Sequence, residues 1–157
     1  MRASRRNPPG LAWRAGWSVF PVLLLALVAC QRPPDEEIIR TRLTDMTEAL
    51  ADGSVRSFMA PVAADFSAET RDLDDRALRL LVRRELVARE RVRVLLIDTR
   101  VEFYGDDRAV ASFNALATGG SGLIPQEGRL WRVETGWRRA GSDWELITAS
   151  WEPVAGR

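Results

Sequence analysis

The hydrophobic pattern of this chain changes period at Arg91, and that change fixes the order of the fold. Before it, apolar residues recur at helical spacing, as Ile39, Leu43, Met46 and Leu50, and again as Leu78, Leu81, Val82 and Leu86. After it they alternate with polar residues, which places them on one face of extended strands. Helices followed by an antiparallel meander make an α+β order, with the helices packed on a curved sheet of four strands.

Local punctuation sets the boundaries. The acidic run 35–37 suits the positive start of a helix over 35–51, with Asp35 as its expected cap and Asp52-Gly53 as its stop. Ser54 caps a short second helix through Met59, and Pro61 ends it. Residues 62–73 read as a loop or a short strand pair. Asp72, Asp74 and Asp75 form an acidic cluster best explained by capping a third helix, which runs to about Glu90. Strands are predicted over 92–104, 108–118, 129–139 and 143–152, with turns at 105–107 and 140–142 and a flexible loop over 119–128.

Alternation gives the sheet two faces. Ile97, Thr99, Val101, Phe103, Ala109, Ala111, Phe113, Ala115, Trp131, Val133, Thr135 and Trp137 fall on the face expected to cover the helices. Asp98, Arg100, Glu102, Ser112, Asn114, Arg132 and Glu134 fall on the other. The helix stripes of Ile39, Leu43, Leu78 and Leu81 are expected to occupy the apolar face. That leaves Arg100, Glu102, Arg132 and Glu134, alternating in sign, as the candidate surface for a partner protein or a homodimer.

The first 29 residues stand apart. They carry Arg2, Arg5, Arg6 and Arg14 without an acid, then the uncharged stretch 17–29. Thirteen residues at ~1.5 Å each give about 20 Å of helix, short of the ~30 Å hydrocarbon core, so the stretch suits a signal peptide better than a spanning anchor. Leu27-Val28-Ala29-Cys30 closes it and resembles the lipobox of bacterial lipoproteins. That resemblance implies a diacylglycerol thioether on Cys30, cleavage before it and a membrane-anchored product facing the periplasm. Gln31 after the Cys resembles the outer-membrane sorting pattern. The chain then divides into a leader over 1–29, a lipidated tether over 30–34 and one domain over 35–154.

Composition narrows the function classes. The chain has no His, and every one of its 23 positive side chains is Arg. Without the four leader arginines, 19 Arg face 22 acids, a formal net of −3, which gives no general attraction for nucleic acid. One Cys and no His supply neither a disulfide nor a zinc set, and no cofactor is expected.

The helix–helix–helix–meander order, with the tail Leu130-Trp131-Arg132-Val133 and Trp137-Arg138-Arg139-Ala140-Gly141-Ser142-Asp143-Trp144-Glu145-Leu146, resembles the NTF2-like (cystatin-like, SnoaL-related) superfamily. The Tyr104-Gly105-Asp106 turn is a looser match. The resemblance implies a cone around a pocket, which serves enzymes in some members and only ligands or partners in others.

The chemical candidates are few. Asp98, among Leu95, Leu96 and Ile97, is the weak candidate for a catalytic base; its alternation partners Arg100 and Glu102 equally suit a solvated face. Asn114 and Glu134 read as surface residues. The four tryptophans 131, 137, 144 and 151 either fill the core or, with Phe103 and Phe113 beside Trp131 and Trp137, line a pocket for an apolar ligand. Arg79, Arg83, Arg84, Arg89, Arg91 and Arg93, interleaved with Glu85 and Glu90, suggest an exposed helical face with local ion pairs. The functional expectation is a non-catalytic envelope lipoprotein that binds a partner or a small apolar ligand. Its alternatives are a lone-carboxylate enzyme and a structural subunit of an envelope assembly.

Overall fold

A computed structural model describes residues 34–68, 73–89, 92–119 and 127–154. Residues 1–29, expected to be a signal peptide, Cys30 and residues 31–33 of the expected tether, Asp72, Glu90, Arg91 and residues 120–126 of the expected loop lie outside the described residues. Helix α1 spans Asp35–Ala51, α2 Val55–Phe58 and α3 Asp75–Ala88. Ile39, Leu43, Met46 and Ala49 form the buried stripe of α1. Asp35 does not cap this helix: Pro34 is the cap position, and the Asp35 carboxylate binds across the domain instead. Ser54 and Asp74 do cap, accepting from the N–H groups of Ser57 (3.2 Å) and Ala77 (2.7 Å). Among the described residues no helix is long and apolar enough to cross a membrane.

The described sheet has six strands where the sequence predicts four: β1 Val62–Ala68, β2 Leu73–Asp74, β3 Val92–Tyr104, β4 Arg108–Gly119, β5 Glu127–Ala140 and β6 Asp143–Pro153. Their order is β2-β1-β6-β5-β4-β3, and β1 joins β6 in parallel, so the sheet is mixed. The extra pair falls in the stretch 62–73 that the sequence left open between a loop and a short strand pair, because β1 places exposed Ala64 and Asp65 side by side and shifts register against β6. Alternation fails there, and the strand exists through pairing with a distant partner.

A second departure lies within β3. Leu96 pairs with Ala115 and Ile97 with Asn114, but the next pair is Arg100 with Ser112. Asp98 and Thr99 together oppose one residue of β4, and Asp98 has φ 55°. This β-bulge reverses the phase of the strand. Val94, Leu96, Val101 and Phe103 therefore share the helix-facing side, whereas Ile97, expected there, pairs with Asn114 on the outer face. An Asp suits the left-handed position better than a branched residue would. A further register shift lies between Gly136 and Trp137. Bulges bend strands, and the described sheet is curved and unclosed, with the helices on one side.

Candidate functional site

The inner face of the sheet is filled at one end and hollow at the other. At the filled end Trp137 and Trp144 are 0 % and 1 % exposed, and Ile39, Ala109 and Ala111 are buried with them. Trp137 Nε1 donates to Thr135 Oγ1 (3.0 Å), and that hydroxyl donates to the Ala111 carbonyl (3.0 Å), so the buried polar atoms are matched. Phe103 meets Trp144 edge-on at 5.7 Å.

Two ion pairs clamp α1 to the β5–β6 hairpin over this core. Arg139 donates to both oxygens of Asp35 (2.8 and 2.6 Å) while its guanidinium lies 4.6 Å from the Trp144 ring centre, and Trp144 Nε1 donates to Asp35 as well (3.1 Å). Arg42 donates to both oxygens of Asp143. The bonds from Arg42 hold the Asp143 carboxyl below its ordinary range against the opposing effect of burial, and the Trp144 N–H adds to them. Arg42 and Arg139 are raised in turn, chiefly by hydrogen bonds to Asp143 and Asp35.

Toward the other end the packing opens. A cavity of about 490 Å³ lies between α3 and the sheet, with Leu81, Val82 and Leu86 on one wall and Val92, Val94, Ala115, Ala117, Trp131 and Val133 on the other. The sheet residues there are mostly short, and α3 does not fill the space above them. A second cavity of about 170 Å³ abuts it, sharing Leu50, Phe58, Val94, Val133 and Trp151. Thr47 and Thr135 are the polar residues lining the smaller one. Such a volume and lining lie within the range of small-molecule sites, ~300–1,000 Å³ and largely apolar. The expectation that the helix stripes occupy the whole apolar face is thus corrected: Leu78 is buried, but Leu81 borders open space.

The larger cavity has a charged rim of Arg84, Glu85, Arg89 and Arg129. Glu85 pairs with Arg84 and Arg89 (3.3 Å each), and Arg129 lies 5.7 Å from the centre of the Trp131 ring. Among the described residues Glu85 is the carboxylate that lines either cavity, and no group of three metal-ligating side chains occurs.

The predicted site residues divide between these regions. Trp131 and Phe113 line the cavities, whereas Trp137 is sealed in the filled core and Phe103 packs on Trp144. Asp98 is exposed at the β3 bulge and lines neither cavity. Arg100, Glu102, Arg132 and Glu134 are exposed on the outer face, where Arg132 pairs with Glu152 (2.8 Å). That face also carries the cross-strand row Leu95, Leu116 and Leu130, with Leu95 60 % exposed. The sequence reading missed the rim arginines as a group, because Arg129 is separated in sequence from α3. It also missed Leu50 and Phe58 as cavity walls.

No family model and no curated protein matches the sequence. The fold, by contrast, has clear counterparts. A dehydratase candidate of the NTF2-like family from Streptomyces avermitilis matches at TM-score 0.68 and 18% identity, over 80% of this chain and all of that one. An NTF2-like protein with a cystatin-like fold from Novosphingobium aromaticivorans matches at 0.66 and 17%, over 90% of this chain and 94% of that one. An NTF2-like protein of unknown function from Pseudomonas putida KT2440 matches at 0.65 and 21%, over 78% and 87%. The domain therefore has the NTF2-like, cystatin-like α+β fold.

Proposed function

We propose that this chain is a lipid-anchored, non-catalytic binding protein of the bacterial cell envelope, which holds a small apolar ligand between α3 and the sheet. The observation that carries the reading is the pair of abutting cavities, the smaller walled almost wholly by apolar residues and the larger by apolar residues beneath a charged rim. A fold alone assigns no activity, and the dehydratase label belongs to the neighbour. An enzyme of the lone-carboxylate kind needs an acid in the cavity. Asp98 stands outside both cavities, and Glu85 is engaged by two arginines. The anchor rests on Leu27-Val28-Ala29-Cys30 and places the domain at a membrane surface, by the sorting residue Gln31 the outer one.

The ligand test uses the full chain in lipid nanodiscs and a neutral 12-carbon alcohol bearing a photoactivatable diazirine. Labelling of peptides that contain Val94, Trp131 or Trp151, reduced by Ala117→Leu, supports the reading. Labelling confined to other peptides, or indifferent to Ala117→Leu, refutes it. The anchor has its own test: Cys30→Ser abolishes incorporation of a palmitate analogue, and undiminished incorporation rejects lipidation there.

A second reading, association with a partner or a second copy through the outer face, draws on the Leu95–Leu116–Leu130 row, of which Leu95 is exposed and the others half-buried, beside Arg100, Glu102, Arg132 and Glu134. Arg100→Glu with Arg132→Glu weakens such association with little change in melting temperature; unchanged association removes this reading.

A further inference from the structure

We infer that the rim of the larger cavity makes it selective for amphiphilic anions: a carboxylate head held by Arg84, Arg89 and Arg129, with an apolar body on the walls beneath. The inference rests on the cavity reading above and specifies the ligand's chemistry.

The charge distribution carries the argument. At the filled end each inward arginine has its own carboxylate, Arg42 with Asp143 and Arg139 with Asp35. At the rim three arginines share one carboxylate, Glu85, which already bridges Arg84 and Arg89. Two positive charges are therefore unmatched at the edge of an apolar cavity. Arg129 lies against the Trp131 ring, and no carboxylate partner is assigned to it among the described residues. Its fork is steadied by the ring and keeps donors to offer.

A guanidinium presents parallel N–H donors that match a carboxylate, and three of them at one rim add charge attraction to what the apolar body gains on the walls. A neutral ligand of the same length leaves those donors to solvent, and an amine meets like charge. The walls give the complementary half. Leu81, Leu86, Val94, Ala117 and Trp151 present hydrocarbon and an aromatic surface, and Thr118 is the hydroxyl-bearing residue of the lining, so a polar body would be poorly matched. A head that is anionic and a body that is apolar define a fatty-acid-like monocarboxylate.

The test uses the full chain in nanodiscs at about pH 8, where a carboxyl is ionised and an amine protonated. Three 12-carbon diazirine probes are compared, ending in carboxylate, alcohol or amine. The acid reaches half-maximal labelling of the Val94, Trp131 and Trp151 peptides at a concentration about tenfold below the alcohol, and the amine is poorest. Arg84→Gln with Arg129→Gln removes the acid's advantage over the alcohol, both probes being measured on the same variant; both positions are exposed, and the melting temperature checks the fold. Equal labelling by acid and alcohol in the unaltered chain, or an advantage that survives the double substitution, overturns the proposal while the cavity reading stands. Failure of all three probes to label those peptides defeats the cavity reading and this one together.

Discussion

Trp137 and Trp151 stand on the inner face of the same β5–β6 hairpin, yet one is sealed in the core and the other borders empty space. Residue type does not separate them; what comes across from the other side does. Above Trp137 lies α1, drawn onto the hairpin by the Asp35–Arg139 and Arg42–Asp143 pairs and admitted closely by Ala109 and Ala111. Above Trp151 the helices leave a gap lined by short sheet residues. An aromatic at the first position converts its area into stability. At the second, part of that area faces the cavities.

Removing the two rings in turn gives the largest expected contrast. Trp137→Ala costs about 3–5 kcal/mol, because a fully buried indole leaves a cavity and strips Thr135 of its donor. Trp151→Ala costs less than half as much, since part of that surface already faces a void. Urea denaturation of the two variants measures both values, and equal losses would break the distinction between the ends.

Adding volume should reverse the contrast along a single strand. Ala111 and Ala117 both lie on the inner face of β4, the first 0 % exposed and the second on the cavity wall. Ala111→Leu overpacks the filled end and costs about 1–3 kcal/mol. Ala117→Leu enters open space, changes stability by no more than about 0.5 kcal/mol and lowers cavity labelling. Thermal melts paired with labelling separate the two outcomes.

The junction between the ends has its own constraint. At Gly136, beside the register shift, an added Cβ would stand 2.3 Å from Thr148 Oγ1. Gly136→Ala therefore costs about 1–2 kcal/mol, most of it recovered by adding Thr148→Ala, which removes the colliding hydroxyl. A melt series of the single and double variants reads this coupling; additive losses would show that the hydroxyl is not the obstacle.

The change of period at Arg91 made most of the fold legible. The caps Ser54 and Asp74 and the bounds of α1 and β3 follow from short-range chemistry that any stretch of sequence carries. What stayed hidden depends on distant partners. Strand β1 owes its existence to β6, and the bulge at Asp98 lies where Leu95-Leu96-Ile97 gives way to Asp98-Thr99-Arg100, a break in alternation that does not say which residue is the extra one. The four tryptophans read alike because a side chain does not report whether its opposing helix reaches it. The rim was invisible for a related reason: Arg84 and Arg89 looked like an ordinary solvated helix face until the sheet brought Arg129 beside them. Cavities are made by what does not meet, and local patterns record only what does.

The smallest effect expected comes from titrating the clamp. Asp143 has its folded pKa depressed, first by the bonds from Arg42, with the Trp144 N–H adding to them and burial opposing. A depressed carboxylate contributes stability that is fully present above its unfolded value of about 3.9 and disappears as pH falls through the folded value. Asp143 is 42% exposed at its side chain, so solvent screens the pair and the contribution stays below about 1 kcal/mol. Asp143→Asn should therefore lower stability slightly at neutral pH, and its deficit should shrink as the medium is acidified below about pH 4, where the unaltered chain loses the same interaction. Denaturation midpoints of both proteins across that range make the comparison. Cavity labelling by the alcohol probe, measured on the same variant at neutral pH, should not change, because Asp143 clamps the filled end and lines neither cavity. If loosening this clamp altered labelling, the filled end would be setting the shape of the hollow one, and the two would have to be treated as a single coupled element.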